Sequence, residues 1–290
     1  MVVTFSPECL VDLQKYPEGV CFSEFMRHCL YHPTYGYYTQ AVTRQGAKGD
    51  YHTAPTLGPL FAETLAIHLS TFLSDNPDWS ILEIGPGRGD LCHGLINALA
   101  RVDCFPKYFC VEPFKKCWSM QQDNCRSHLS SAQFANISWL AAIPTEFKGI
   151  IIANEILDAL PCSLVISDQQ ASLHALHVDC SGISPSWVQK SMHISQKNLF
   201  FARDLPLYPN YRYELHDYTP WLSNISKCLI QGQVYLFDYG YPRASYYHPE
   251  RCMGTLSCFA QQTTHADPLL QPTQQDISIH VDFTTVAQTA

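Results

Sequence analysis

The feature that most constrains the fold of this chain is a short apolar segment that runs directly into three closely spaced glycines. Residues 81–89 read ILEIGPGRG, and Leu91, Leu95 and Leu99 follow at the spacing of one helix face. The pattern predicts a buried strand, a glycine loop and a helix in direct succession. With this arrangement an α/β protein holds a nucleotide-like ligand at the carboxyl edge of its sheet.

Four more apolar segments predict the rest of a sheet around that strand. They are Tyr108–Val111, Ile137–Leu140, Gly149–Ala153 and Val234–Phe237. Stretches with helical periodicity, such as Pro59–Ser74, alternate with the strands, and this alternation predicts a parallel, doubly wound sheet. Between Pro161 and Tyr213 the pattern changes to short segments of alternating polarity, which predict an inserted antiparallel flap.

Composition excludes several kinds of function. The chain carries 18 basic and 26 acidic residues, a net charge of −8, so it has no basic footprint for nucleic acid. No apolar run reaches the length of about 18 residues that spans a membrane.

The 13 cysteines form no C-x-x-C pair, which favours reduced structural thiols over disulfides or a zinc site. His28, His32 and His52 lack ligand spacing, so no metal site is predicted.

The glycine loop favours a ligand without phosphate. Gly85, Gly87 and Gly89 carry no Cβ and therefore let backbone approach a ligand closely. A dinucleotide fingerprint needs its third glycine where Asp90 stands, and this carboxylate lies at the helix end where phosphate would bind. S-adenosylmethionine carries no phosphate, and its positive sulfonium and amino groups suit Glu83 and Asp90.

Glu112 also favours a nucleoside site. It follows the second strand, roughly 20 residues beyond the loop, where an acidic side chain binds both ribose hydroxyls. An ordinary solvated charge at a strand end is the alternative, since Pro113 fits a strand terminus equally well. The loop and Glu112 together are more specific than either feature alone.

A second group of polar residues follows the later strands. Asn154 and Glu155 end the fourth strand, and Asp158 lies on the same face three residues on. These two carboxylates could hold a cationic acceptor such as a guanidinium, or could cap the next helix. Asp238 ends the fifth strand at the same edge or belongs to a turn. His280 lies in an extended segment, where a lone histidine is more often structural than catalytic.

These pieces occur together, and in the same order, in a known family. The chain resembles the MidA family of S-adenosylmethionine-dependent methyltransferases, which includes the mitochondrial arginine methyltransferase needed for complex I assembly. The matching segments are Phe22–Met26, Tyr35–Tyr38, Gly49–Tyr51 with Thr53, Gly85–Gly89, Asn154–Pro161, Tyr213–Leu215, Asp238–Pro242, Gly254–Leu256, Asp276–Ile277 and His280–Phe283. They cover nearly the whole chain, which makes the resemblance specific.

The resemblance implies a class I methyltransferase (Rossmann-like) α/β fold. Residues 1–75 become an N-terminal helical cap with a cofactor-covering loop. Residues 76–161 and 214–290 form the methyltransferase core, and residues 162–213 are the inserted flap. The family has proline and glycine where Pro272 and Thr273 stand, and it continues through further strands after Phe283. The resemblance therefore predicts that the C-terminal strands are truncated.

The resemblance and the residue patterns together assign roles to individual side chains. Glu155 and Asp158 are the predicted catalytic carboxylates on the substrate side. The predicted substrate-binding residues are Tyr38, Asp238 and His280. The predicted S-adenosyl-L-methionine-binding residues are Thr53, Glu83, Gly85, Pro86, Gly87, Gly89, Glu112 and Asn154.

We expect an enzyme that transfers methyl from S-adenosylmethionine to nitrogen, with an arginine side chain of a protein as acceptor and a complex I subunit as candidate substrate. The alternatives are a catalytically weak or inactive assembly factor that keeps the fold, and a small-molecule methyltransferase. The start of the chain lacks an Arg-rich transit pattern, which predicts a cytoplasmic protein, with the mitochondrial matrix as the alternative. The sequence determines neither the identity of the acceptor nor the oligomeric state.

Overall fold

The computed structural model describes residues 7–40, 49–50, 53–182 and 184–290. The chain divides into two compact units. The cap–flap unit comprises Met1–Thr39, Leu157–Pro220 and Asp238–Ala290, and the sheet unit comprises Gln40–Ile156 and Trp221–Phe237. This division groups the N-terminal segment with the flap. The boundaries expected from the sequence, 1–75, 76–161 with 214–290, and 162–213, separate these two parts and stay a prediction.

Helices and strands alternate through most of the chain. The α-helices are α1 (Pro7–Leu13), α2 (Phe22–Tyr31), α3 (Ala54–Leu57), α4 (Leu60–Asp75), α5 (Asp90–Ala100), α6 (Trp118–His128), α7 (Ser131–Phe134), α8 (Ile194–Ala202), α9 (Thr219–Cys228), α10 (Arg243–Tyr246) and α11 (Phe283–Thr289). The strands are β1 (Val20–Cys21), β2 (Ser80–Ile84), β3 (Tyr108–Val111), β4 (Ile137–Leu140), β5 (Phe147–Asn154), β6 (Cys162–Ser167), β7 (Leu173–Asp179), β8 (Ser186–Lys190), β9 (Arg212–His216), β10 (Leu229–Phe237), β11 (Gly240–Tyr241), β12 (Ser257–Ala260), β13 (Thr263–His265), β14 (Asp276–Ser278) and β15 (Val281–Asp282). Within the described ranges, none of the helices has both the length and the apolar character needed to cross a bilayer.

The sheet unit is built on a five-stranded parallel sheet with the order β10-β5-β2-β3-β4. The predicted parallel, doubly wound sheet is confirmed, although β5 and β10 begin earlier than expected, at Phe147 and Leu229. The chain runs from β2 outward through β3 and β4, and then returns to β5 on the other side of β2. Ligands bind at such a switch point, beyond the carboxyl ends of the strands.

Both faces of this sheet are buried, which is why its strands are almost continuously apolar. Ile81 of β2 faces a core that Leu69 of α4 and Leu95 of α5 complete. Leu82, the next residue in the strand, faces the opposite core together with Ile225 of α9. Successive strand residues point to opposite faces, so one apolar segment supplies both cores.

The flap is an antiparallel sheet, as the alternating polarity of its sequence predicted. β6 pairs with β7 and β9, and β8 pairs with β7. Strand β1 of the N-terminal segment also pairs with β7, and this pairing joins the cap to the flap. A separate core underlies the sheet and contains Phe200, Tyr213, Tyr246 and Tyr247.

One buried carboxylate accounts for two motifs of the cap–flap unit. Glu214 is 1% exposed, and its carboxylate accepts hydrogen bonds of 2.9 Å from the N–H groups of Thr255 and Leu256 and from the Tyr246 hydroxyl. Gly254 has φ +71°, and a Cβ there would lie 2.2 Å from Glu214 Oε1. Tyr213–Leu215 and Gly254–Leu256 therefore serve the packing of this unit.

Candidate functional site

Three strands of the sheet unit end at the same edge in residues that the sequence assigned to the site. Gly85, Glu112 and Glu155 follow β2, β3 and β5, and each donates its N–H to the last carbonyl of a neighbouring strand. The three N···O distances are 3.0, 2.9 and 2.8 Å. The parallel ladder therefore extends one residue beyond each strand, and it sets the glycine loop, Glu112 and Glu155 at one level of the sheet.

The glycine loop forms a backbone cradle between β2 and α5. Gly85, Gly87 and Gly89 have φ values of +66°, +55° and +87°, a region that L side chains rarely adopt. The Gly89 N–H donates to the Pro86 carbonyl at 2.7 Å and closes the loop one residue before α5 begins. A Cβ on Gly85 would lie 2.4 Å from Ile156 Cδ1. The loop therefore needs glycine for both its conformation and its close contacts.

The Glu112 carboxylate is half-buried and has its orientation fixed by two donors. Oε1 accepts from Phe114 N–H at 2.9 Å, and Oε2 accepts from Gln121 Nε2 at 3.1 Å. Burial raises the pKa of Glu112 above its ordinary value. The carboxylate keeps acceptor capacity beyond these two bonds, because its two oxygens offer about four lone-pair sites.

Gln121 of α6 joins Glu112 to the glycine loop, and the sequence does not single it out. It is fully buried, and its Nε2 donates to the Gly87 carbonyl at 3.0 Å as well as to Glu112. Its Oε1 accepts from Trp139 Nε1 at 3.0 Å. A glutamine on a helix is ordinarily exposed, so only the burial and these three bonds identify it.

Glu83 and Asp90, which the sequence analysis paired with the positive groups of S-adenosylmethionine, interact with other side chains of this chain. Glu83 is 3% exposed and accepts from the Tyr108 hydroxyl at 2.7 Å, and burial raises its pKa to about 7. Asp90 accepts from Asn124 Nδ2 at 3.2 Å and lies 3.7 Å from Arg88 Nε. Glu83 thus lies inside the unit, below the loop, and its predicted role in cofactor binding stays a prediction.

The segment before α3 contains part of the loop expected to cover the cofactor. Thr53 is 6% exposed and caps α3, where its N–H donates to Thr56 Oγ1 at 3.0 Å. Asp50 is buried. Tyr51 and His52, which belong to the same predicted loop, lie outside the described residues. The predicted contact of Thr53 with the cofactor stays a prediction.

In the cap–flap unit, Asp158 and Asp238 form a close carboxylate pair. Asp238 Oδ2 accepts from the N–H groups of Leu157 and Asp158, at 2.8 and 3.3 Å. Asp158 is 8% exposed and its Oδ2 accepts from Ser278 Oγ at 2.7 Å, while its Oδ1 has no hydrogen-bond partner within the described part of the chain. Burial and the Asp158 charge together raise the pKa of Asp238 to about 8.

Tyr38 and Tyr31 add aromatic groups to this carboxylate pair. The Tyr38 hydroxyl donates to Asp276 Oδ1 at 2.5 Å, and the Tyr31 hydroxyl donates to the Ala159 carbonyl at 2.9 Å. The two rings lie 5.4 Å apart. Burial, together with the charges of Asp158 and Asp276, raises the pKa of Tyr31. Folding thus brings Tyr31 and Asp276, which the sequence did not assign to a site, into one cluster with Tyr38, Asp158 and Asp238, which it did.

His280 lies in the same unit as a half-buried, neutral side chain. Its Nδ1 has no hydrogen-bond partner among the residues that the structure describes, and its ring lies 5.4 Å from that of Tyr241. Burial lowers the pKa of His280. An uncharged imidazole suits hydrogen bonding to a substrate, and the predicted substrate-binding role of His280 stays a prediction.

The raised pKa of Asp238 predicts a specific pH dependence of stability. Since its folded-state pKa of about 8 lies above its ordinary value of 3.8, the folded protein holds an extra proton between these pH values. The contribution of Asp238 to the free energy of unfolding therefore falls as pH rises through that window. We expect the Asp238→Asn variant to lose this decline. Urea unfolding of both proteins at several pH values measures this decline. If the free energy of unfolding changed with pH equally in both proteins, the raised pKa would not belong to Asp238.

The geometry of each unit supports a distinct kind of chemistry. The sheet unit offers a glycine cradle and a fixed carboxylate at a switch point, which suits the nucleoside part of a ligand. The cap–flap unit offers three carboxylates, from Asp158, Asp238 and Asp276, beside two tyrosine rings. Planar cations such as guanidinium groups bind carboxylates by paired hydrogen bonds and stack on aromatic faces.

Comparison with known families and structures gives three results. A family model of S-adenosyl-L-methionine-dependent methyltransferases matches residues 64–290. A crystal structure of a protein from Burkholderia thailandensis, bound to S-adenosyl-homocysteine, superposes with a TM-score of 0.88 and 28% sequence identity. The superposition covers 100% of this chain and 79% of the Burkholderia chain. A native crystal structure from the same organism gives a TM-score of 0.85.

Two curated relatives are mitochondrial protein arginine methyltransferase NDUFAF7 homologues. The one from Caenorhabditis elegans is 31% identical over 178 residues, and the one from Drosophila melanogaster is 24% identical over 318 residues. These alignments cover 52% and 92% of this chain. The chain spans 41% and 66% of the lengths of these two relatives.

Proposed function

The chain belongs to the family of S-adenosyl-L-methionine-dependent methyltransferases, and from this premise we propose that it transfers a methyl group to an arginine side chain of a protein. The observation that carries the proposal is the glycine cradle with Glu112 beside it in the sheet unit. The carboxylates and tyrosines of the cap–flap unit support a cationic acceptor. The names of the two curated relatives, which specify arginine, support the same choice.

The residues of the sheet unit fit S-adenosyl-L-methionine as the cofactor. A Cβ on Gly85 would lie 2.4 Å from Ile156 Cδ1, and one on Gly89 would lie 3.0 Å from Cys125 Sγ. Glycine therefore lets the loop keep its positive-φ conformation and present its backbone to a ligand. Glu112 supplies a carboxylate for the two ribose hydroxyls, and Gln121 holds that carboxylate against the loop. When bound, the cofactor supplies an electrophilic methyl group on a positive sulfonium.

On the acceptor side, the proposed roles belong to carboxylates. A guanidinium is positively charged at neutral pH, since its pKa exceeds 12. Asp158, whose Oδ1 lacks a partner among the described residues, and Asp238, whose extra proton the cation would displace, are proposed to bind it. The acceptor nitrogen must release one proton as it gains the methyl group, and Glu155 is the proposed proton acceptor.

Binding of the cofactor is the first test of this proposal. We expect calorimetry to detect S-adenosyl-L-methionine binding to the purified protein and to find it about tenfold weaker in the Gly85→Ala variant. An alanine at φ +66° costs about 1–2 kcal/mol. Gly182→Ala is the control, because the nearest described atom to a Cβ there, chain neighbours aside, is Ser184 O at 3.7 Å. This variant should leave affinity unchanged. A folded protein that binds no cofactor would contradict the proposal.

Methyl transfer is the second test. Lysate proteins incubated with the protein and isotopically labelled S-adenosyl-L-methionine should acquire label on arginine, which mass spectrometry can locate. Label on another residue type or on a small molecule would show that the acceptor is not arginine. Cofactor binding without any transfer would favour the alternative, a catalytically inactive assembly factor that keeps the fold.

The same relatives bear on partners and location. Their names describe mitochondrial proteins, which favours the mitochondrial matrix over the cytoplasm for this chain. A subunit of respiratory complex I stays the proposed protein substrate, on the strength of the family resemblance. Proteomic identification of the labelled proteins in mitochondrial and cytoplasmic fractions tests both proposals.

A further inference from the structure

Helix α2 and its C-cap residue carry three side chains of metal-ligand type. Glu24 and His28 lie on the helix, and His32 follows Tyr31 directly as the C-cap. The three are spaced four residues apart, which sets them along one side of the helix. His28 Nε2 lies 3.5 Å from Glu24 Oε1. The two imidazole rings are nearly parallel, with centroids 5.7 Å apart and an interplanar angle of 12°. Two histidines four residues apart are a common zinc-binding arrangement.

A carboxylate from α1 completes the cluster. His32 Nε2 lies 3.5 Å from Asp12 Oδ2. One ligand atom from each of Asp12, His28 and His32 lies within 4.8 Å of the others. The side chains of these three residues are between 17% and 26% exposed, so an ion can reach them from solvent. The sequence-based expectation of no metal site overlooked the i, i+4 spacing of His28 and His32, and it did not include Asp12, which is remote along the chain.

Tyr35 orients two of these ligands. Its hydroxyl donates to Asp12 Oδ2 at 2.9 Å and lies 3.0 Å from His28 Nδ1. Because the hydroxyl hydrogen points to Asp12, the oxygen accepts the Nδ1 hydrogen of His28 and leaves Nε2 with its lone pair. Metal-binding histidines ordinarily have their second nitrogen held by an oxygen in this way.

We propose that Asp12, His28 and His32, with Glu24 as a fourth ligand, bind a divalent zinc ion in the N-terminal cap. Imidazole and carboxylate are ligands that Zn²⁺ accepts in four-coordinate sites. Ligand bonds of about 2.0–2.2 Å require the side chains to close around the ion. His32 Nδ1 accepts a long hydrogen bond of 3.3 Å from Thr34 N–H, whereas Nε2 faces Asp12. Zinc at Nε2 would move the ring hydrogen to Nδ1 and so break that bond. These adjustments predict moderate, micromolar affinity.

The experiment must distinguish zinc binding at this site from zinc binding by cysteine thiolates. A second group of ligand-type residues, Glu83, Cys92 and Cys110, is fully buried in the sheet unit. Titration with zinc sulfate in a calorimeter gives stoichiometry and affinity. Titration with Co²⁺ identifies the ligands, because histidine and carboxylate give d–d bands alone, whereas thiolates add a charge-transfer band in the near ultraviolet.

We expect one zinc ion per chain, cobalt d–d bands without thiolate charge transfer, and a higher melting temperature with zinc. His28→Ala with His32→Ala should weaken zinc binding at least about 100-fold, the upper end of what losing an outer-shell partner costs. Asp12→Asn, which keeps the shape of the side chain, should weaken it at least about tenfold. His248→Ala removes an exposed histidine beside Glu250 and should change nothing.

Three outcomes would overturn the proposal. They are the absence of zinc binding by the folded protein, affinity that survives the paired histidine substitutions, and a thiolate band that dominates the cobalt spectrum. Circular dichroism and melting temperature establish that each variant is folded. The zinc site does not depend on the proposed methyl transfer. A failure to bind zinc would therefore leave the proposed function unaffected.

Discussion

Replacing Glu155 with glycine is expected to relieve backbone strain and to slow methyl transfer sharply. Glu155 has φ +53°, and an L side chain in this left-handed region costs about 1–2 kcal/mol. Glycine avoids that cost, so Glu155→Gly should have a free energy of unfolding about 1 kcal/mol above that of Glu155→Ala, which keeps a Cβ at this conformation. The same change removes the proposed proton acceptor, and kcat should fall by about 10²–10⁴-fold. Chemical unfolding and the transfer of labelled methyl measure the two effects.

Two control variants separate strain from chemistry. Glu155→Gln keeps a side chain at the same backbone conformation, so it should lose activity without gaining stability. Asp103→Gly relieves the same strain at an exposed position with φ +54°, and should gain stability with unchanged activity. Full activity in Glu155→Gly would remove Glu155 from the reaction. Strained residues concentrate at functional sites, and this pair of controls tests that link directly.

Replacing Glu112 with glutamine is expected to weaken cofactor binding by about 100-fold. The carboxylate is the proposed acceptor for two ribose hydroxyls, and hydrogen bonds to a charged group contribute about 1.5–3 kcal/mol each. Burial raises the pKa of Glu112, so the affinity of the unmodified protein should also fall as the carboxylate gains a proton at acid pH. The glutamine variant should lack that pH dependence. Calorimetry with S-adenosyl-homocysteine across a pH series measures both effects.

A ligand without ribose hydroxyls gives the sharpest control for Glu112. The 2′,3′-dideoxy analogue of S-adenosyl-homocysteine should bind the unmodified protein and the Glu112→Gln variant alike, because the contact in question no longer exists. Glu146→Gln removes an exposed carboxylate from the same unit and should leave affinity unchanged. An equal loss for both ligands would mean that Glu112 acts on the fold of the loop rather than on the ribose.

Much of the sheet unit is predictable from local sequence. The apolar run before Gly85 predicts a strand buried on both faces, and the observed strand β2 spans Ser80–Ile84. The segments Tyr108–Val111 and Ile137–Leu140 match β3 and β4 residue for residue. Strand periodicity and glycine punctuation are local properties, which the sequence carries in full.

Gln121 and Asp276 show what local patterns miss. Nothing near Gln121 in the sequence marks it as buried, and its role depends on bonds to Gly87 and Glu112, which lie 34 and 9 residues away. Asp276 contacts Tyr38 across 238 residues. Burial and pairing at such distances follow from the packing of whole elements, and no short window of sequence contains them.

The sequence by itself determined the parallel sheet, the glycine cradle at its edge, the resemblance to a methyltransferase family and the strand ends that carry Glu112 and Glu155. Tertiary structure alone decided which side chains meet. It brought Asp12 to His28 and His32, set Asp158 beside Asp238, and enclosed Glu83 beneath the loop. The physical reason is that strand and turn preferences act between neighbours in the chain, whereas the environment of a charge depends on groups that only folding brings within reach.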